Sequence, residues 1–168
     1  MNLIGTALCC RAVLPVMLGQ QRGKIIIMSG GGGAFAWRHM SAYCATKAAL
    51  VRLAEGLALE LEGKNIQVNA MRPGAISTQG LQEVVDGWKE SGDTEMFEVG
   101  QRLLAGSDAD HNASIDRSAE LAVFLASDAS GDLSGRLVNS EDDFPNLPSR
   151  IPDIMGSTAY LLRRVDLE

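Results

Sequence analysis

The chain has 168 residues, long enough for one domain with a core of its own. It carries 15 Lys/Arg against 21 Asp/Glu, a net charge of −6, which argues against nucleic acid as the main partner. The charge is uneven, with 8 basic and 3 acidic residues in 1–75 (+5) and 7 and 18 in 76–168 (−11), and the second half reads as a solvated acidic face.

Residues 3–18 (LIGTALCCRAVLPVML) are apolar on nearly all sides, as in a buried helix that Pro15 ends or kinks. No basic segment precedes this run and Arg11 interrupts it, which argues against a signal peptide. It is also read as short of the roughly 20 apolar residues of a membrane span. The expectation is a soluble, cytoplasmic protein without a membrane partner. Lys24 to Met28 (KIIIM) is a short, apolar strand, followed at once by the glycine-rich loop Ser29 to Gly33. Ser41 to Glu62 is the strongest helix, with Ser41 as its expected N-cap and Gly63 at its C-terminal end.

Ile66 to Met71 (IQVNAM) is a second strand, stopped by Pro73-Gly74. Residues 79–112 read as one or two short amphipathic helices in a polar segment. Arg117 to Ala126 is a further helix, Arg136 to Asn139 a third strand, and 140–168 a tail with a closing apolar stretch at Tyr160 to Leu162. Strands alternating with helices indicate an α/β protein with a parallel sheet covered on both faces. Cys9, Cys10 and Cys44, with His39 and His111, show no metal-ligand spacing and no disulfide framework. All five read as structural or surface residues in a reducing compartment.

Tyr43 and Lys47 stand four apart on the strongest helix, so their side chains share a face. A nearby ammonium favours a phenolate, and such a pair could exchange a proton with a hydroxyl or carbonyl. Alone, the spacing is commonplace among surface residues. Its surroundings are more specific. YCATK at 43–47 follows a strand ending in Ser29, and VNAMRPGAIST follows at 68–78. NLIGTALCCRAVLPVM begins at Asn2, and LASDASGDLSGRLV occupies 125–138.

In these motifs, over residues 1 to about 139, the chain resembles the short-chain dehydrogenase/reductase family. The resemblance implies an incomplete, doubly wound Rossmann-like α/β/α domain over 1–168. It would supply only the last three strands of the order 3-2-1-4-5-6-7, the N-terminal strands and the glycine-rich TGxxxGxG turn being missing. The first strand would then be an exposed, apolar edge. Tyr43 would be the general acid/base, and Lys47 would lower its pKa and hold the nicotinamide ribose. Asn2 would anchor a proton-relaying water. Pro73, Gly74 and Thr78 would contact the nicotinamide end of NAD or NADP, with no basis for choosing between the two. The partner would be a small carbonyl or alcohol substrate, with residues 79–115 as the substrate loop, and the assembly a homodimer or homotetramer through the helices at 1–18 and 41–62.

One departure bears on catalysis. The family serine lies thirteen residues before the tyrosine, where this chain has Gly30; Ser29 lies fourteen before. Either Ser29 reaches the site or the serine role is lost. The glycines at 30–33 follow the wrong strand to be the phosphate loop. Trp88, Met96 and Phe97 read as core-facing residues of short helices rather than substrate contacts. Beside the oxidoreductase stands a second reading: a non-catalytic remnant or a helix-mediated interaction module.

Overall fold

A computed structural model describes residues 2–109, 111–141 and 146–163, with side chains 106–114, His111 among them, outside the described set. Three strands form one parallel sheet in the order β1 (Gly23–Met28), β2 (Ile66–Arg72), β3 (Leu137–Asn139). Gly23 pairs with Ile66 and Met28 with Met71; Ala70 pairs with Leu137 and Arg72 with Asn139. Each strand lies within a residue of its expected position, because a β-branched, two-face-buried run leaves little freedom in register. Among the described residues β1 pairs on one side only.

Alternation along the strands divides the core into two halves. Ile27, Ile66, Val68 and Ala70 face helices α1 (Asn2–Gln20) and α2 (Ser41–Glu60), which contribute Cys10, Leu50, Val51 and Ala54. Met71 and Val138 face the other way, onto Leu121 and Leu125 of α5 (His111–Ala126) and Leu147, Ile151 and Ile154 of α6 (Leu147–Met155). The result is a three-layer α/β/α sandwich. Helices α3 (Gln79–Glu90) and α4 (Thr94–Ala109) sit beyond the end of β2.

The sequence reading needs correction at four places. Helix α1 is not buried: only Cys10 is enclosed, and Ile4 (71 % exposed) and Val16 (58 %) face outward. Nor does the run fall short of a membrane span, since α1 is long and apolar enough, by length and composition, to cross a membrane. Ser41 is the first helical residue of α2 rather than its cap. Met40 occupies that position, with its carbonyl accepting from the Cys44 N–H, after His39 has turned the chain at φ 61°. Finally, the tail contains α6, hidden in the sequence by Pro148 and Pro152.

Candidate active site

The C-terminal ends of parallel strands are where an open α/β sheet binds ligands, and a cavity of about 690 Å³ opens there. Its walls include Met28 and Ser29 from β1 and the loop after it, Tyr43 and Lys47 from α2, and Arg72 to Ile76 and Thr78 from the end of β2. Leu81 and Val84 of α3 and Leu103 of α4 roof it. Six of the seven expected site residues therefore come together. Asn2 does not: it lies exposed in the first turn of α1, its carbonyl accepting from the Thr6 hydroxyl at 2.8 Å, and is not among the lining residues.

Tyr43 and Lys47 are one turn apart on α2, held by Cys44, Leu50 and Val51 buried beneath them. The Lys47 ammonium sits 5.8 Å from the Tyr43 ring centroid and donates to the Met28 carbonyl at 3.3 Å. Burial pushes the Tyr43 phenol above its ordinary pKa, with the neighbouring Cys44 adding to the effect, and burial draws Lys47 down. Lys47 is not among the groups that shift Tyr43 in this arrangement, in which its ammonium is turned to the Met28 carbonyl. The phenolate loses solvent that the ammonium, turned to a strand-end carbonyl, does not replace. Tyr43 is accordingly a neutral phenol at pH 7, with a proton to donate.

Ser29 points away from this chemistry. Its side chain is buried (3 % exposed), its N–H donates to the Met71 carbonyl at 2.8 Å, and its hydroxyl donates to the Lys47 carbonyl at 3.1 Å. It fastens the end of β1 to both β2 and α2. Gly30 is the residue that faces the tyrosine: a Cβ there would lie 3.0 Å from Tyr43 Oη and 3.9 Å from Lys47 Cε. The next three glycines form a 3-10 turn packed too closely for side chains. A Cβ would meet Trp37 at 2.7 Å from Gly31, Tyr43 at 2.9 Å from Gly32 and the Ser29 hydroxyl at 2.2 Å from Gly33. They serve packing and leave no open cradle for a phosphate.

On the opposite wall, Gly74 has φ +78° and a Cβ there would lie 2.9 Å from the Ser140 hydroxyl, so both backbone and space call for glycine. The Pro73 carbonyl accepts from the Ser118 hydroxyl. Thr78 caps α3, its hydroxyl accepting from the Leu81 N–H at 3.2 Å. Three lining residues were missed in the sequence. Trp37 stacks on Tyr43 with ring centroids 6.3 Å apart and planes at 19°. Arg72 pairs with Glu141 at 3.5 Å. Trp37 comes from an aperiodic loop and Glu141 from 69 positions downstream of Arg72, so no local pattern marks them. Trp88 is buried and donates to the Arg38 carbonyl, a core role, and neither Met96 nor Phe97 lines the cavity. His39 is exposed and bonds Asp93 at 3.2 Å, while Cys10 and Cys44 are buried and Cys9 exposed, all three as free thiols. Among the described residues no three His, Cys, Asp or Glu side chains cluster as metal ligands.

Residues 1–88 match the family model described as short chain dehydrogenase. The chain is 32 % identical over 134 residues to 2-(S)-hydroxypropyl-CoM dehydrogenase 3 of Xanthobacter autotrophicus, covering 80 % of this chain and 51 % of that protein. Among solved structures it resembles ElxO with NADP bound, with a TM-score of 0.59, 25 % identity and coverage of 82 % of this chain and 52 % of that one. It also resembles the NADPH complex of an actinorhodin polyketide ketoreductase variant, with a TM-score of 0.68 and 24 % identity, over 83 % of this chain and 54 % of that one. The chain spans about half the length of the curated relatives it matches. A family match over half the chain, on a sheet and helices that carry its Tyr-x-x-x-Lys and Pro-Gly segments to one cavity, shows that this chain belongs to the short-chain dehydrogenase family.

Proposed function

We propose that this chain carries the catalytic wall of an NAD(P)-dependent oxidoreductase acting on an alcohol/carbonyl pair. One observation carries the reading most directly: the Tyr43 hydroxyl and the end of the Lys47 side chain converge on the bare Cα of Gly30, inside a cavity at the carboxyl ends of the strands. NADP and NADPH in the structural relatives support the cofactor assignment.

The residues fit the nicotinamide end of such a cofactor. Lys47 offers an ammonium whose present bond, to Met28, is long at 3.3 Å. Gly74 offers backbone uncovered by a side chain, and Thr78 a hydroxyl at the rim. No described glycine turn fits the diphosphate. When bound, the nicotinamide supplies or accepts hydride, chemistry no side chain here provides. Tyr43 holds the proton at Oη and delivers it to a carbonyl oxygen in the reduction direction. In the oxidation direction the phenol must ionise, and an ammonium moved from Met28 toward Oη lowers the cost. Trp37 shields the tyrosine from water, and Leu81, Val84 and Leu103, within the expected substrate segment 79–115, roof the substrate. Asn2 acts on this pair only through intervening groups, as the anchor of a relay water.

The test is turnover of a panel of small ketones with NADPH and NADH by the 168-residue chain, beside Tyr43→Phe. A rate that Tyr43→Phe lowers by about a thousandfold or more supports the proposal, on the scale of a lost general acid. A rate unchanged by the substitution refutes it.

A second reading, a helix-mediated module without catalysis, is favoured by the outward apolar face of α1, including Ile4, Leu8 and Val16. The same face accommodates a homodimer or homotetramer of an active enzyme.

A further inference from the structure

The roof of the cavity is tied to its wall at the Asp93 carboxylate. Gly92, at φ +74°, turns the chain after α3, and Asp93 follows it as the residue before α4. The Asp93 side chain is 12 % exposed, and both of its oxygens are engaged. Oδ1 accepts from the Met96 N–H at 3.1 Å and so caps α4. Oδ2 meets His39 Nε2 at 3.2 Å and the Arg38 guanidinium at 3.6 Å, both from the loop that leads into α2. The Met96 N–H, with His39 and Arg38 beside it, holds the Asp93 carboxyl below its usual pKa, so the group is ionised at neutral pH. Arg38 also pairs with Glu95 at 2.9 Å, but those side chains are 60 % and 71 % exposed, and such pairs contribute little.

These contacts reach Tyr43 through Trp37, the residue just before Arg38 and His39. The Trp37 ring stacks on Tyr43 and meets Trp88 of α3 edge-on, each with centroids 6.3 Å apart. Trp88 is buried and donates to the Arg38 carbonyl at 3.3 Å. Between the 3-10 turn and α2 neither helix nor strand holds the loop, and His39 lies in the left-handed region at φ 61°. The placing of Trp37 therefore depends on side-chain contacts with the roof.

We propose that Asp93 is a positioning residue for Tyr43: it fastens the roof helices to the loop before α2 and so keeps Trp37 stacked on the tyrosine. Asp93 is not among the residues lining the cavity, so it acts only through Arg38, His39 and Trp37. With the tie broken, roof and loop part, and Tyr43 loses its aromatic cover. The role rests on the reading that Tyr43 is the proton donor. Its test needs neither substrate nor cofactor, so its failure is separable from a failure to turn over.

The experiment compares the 168-residue chain with its Asp93→Ser variant. Serine caps a helix about as well as aspartate but is too short to reach Arg38 or His39, so the variant removes the tie and keeps the cap. Two signals report on the seam. The chain has two tryptophans, Trp37 and Trp88, and both lie there, so acrylamide quenching of their fluorescence reads its opening. It also has two tyrosines, so labelling with 3-fluorotyrosine gives separate fluorine NMR resonances for Tyr43 and Tyr160, assigned with Tyr160→Phe. In Asp93→Ser the quenching constant is expected to rise about twofold or more, on the scale of a lost ion pair opening the seam. The Tyr43 resonance moves toward its unfolded-chain value, and that of Tyr160 stays. Arg38→Ala/His39→Asn, with an asparagine that tolerates the left-handed backbone, gives the same two changes. Glu95→Ala gives neither. Unchanged signals in folded Asp93→Ser, or the same changes in Glu95→Ala, overturn the proposal. If Asp93→Ser does not fold, the wall-side variant decides alone, and unchanged signals there overturn it equally. If Tyr43→Phe leaves turnover unaltered while these signals shift, the proton-donor reading falls and the role of Asp93 in placing Trp37 stands.

Discussion

Helices α1 and α2 lie in the same layer, on the same face of the sheet, and both are rich in Ala, Leu and Val, yet they are used differently. Helix α2 encloses Cys44, Leu50, Val51, Ala54 and Glu55, whereas α1 encloses Cys10 alone. The difference is one of pattern. The buried apolar residues of α2 fall on a stripe that meets β1 and β2, with Leu59 outside it, and its charges, apart from Glu55, fall off it. Those of α1 encircle the helix, so one neighbour cannot cover them. A helix that must present Tyr43 and Lys47 at fixed positions needs the first arrangement, because rigid burial on one side is what aims the other.

The contrast is broken most severely at the centre of α2. Leu50→Ala, at a residue 2 % exposed, is expected to cost about 2–5 kcal/mol in denaturant unfolding, by lost transfer energy and a residual cavity. Next comes Ser29→Ala, which removes the bond from β1 to the Lys47 carbonyl and is expected to cost about 1 kcal/mol by the same measurement. A pH effect sharpens the picture of Tyr43. Its folded pKa is raised, so above the ordinary value of 10.0 the unfolded chain loses this proton first. Stability therefore declines with pH from about 10 through the folded pKa. Thermal melts of Tyr43→Phe between pH 9 and 11 are expected to show a shallower decline. The smallest effect belongs to α1: Ile4→Ala, at a residue 71 % exposed, should stay within about 0.5 kcal/mol by unfolding at low protein concentration. A loss comparable to that of Leu50→Ala would mean that α1 is covered in solution.

The strands and α2 were legible because burial on two faces and a long, well-formed helix dominate their local alternatives. Tyr43, Lys47, Pro73, Gly74 and Thr78 were legible because their motif spacing follows the strand-end positions that bring them together. Helix α6 was not, since its prolines read as loop. Pro148 sits in the first turn, where no N–H is missed, and the Arg136 guanidinium donates to the carbonyls of Ile154, Met155 and Ser157 at its far end. The roles of Ser29 and Gly30 turn on which way a strand-end side chain points, which a one-residue offset reverses. The exposure of α1 depends on what covers it, and composition reports only that something apolar needs cover. The bond from Lys47 to the Met28 carbonyl was not legible either, because spacing places an ammonium near Tyr43 without revealing its partner.

The central claim is that Lys47, Gly74 and Thr78 line a nicotinamide site with Tyr43 at its reacting end, and it is tested without the rest of a dinucleotide. We would titrate reduced nicotinamide mononucleotide, and separately AMP, into the 168-residue chain by calorimetry. The account predicts binding of the mononucleotide in the millimolar range, weakened about tenfold or more by Lys47→Ala through loss of a charged hydrogen bond, and no comparable binding of AMP. Equal affinity for the two nucleotides, or a mononucleotide affinity untouched by Lys47→Ala, would contradict it.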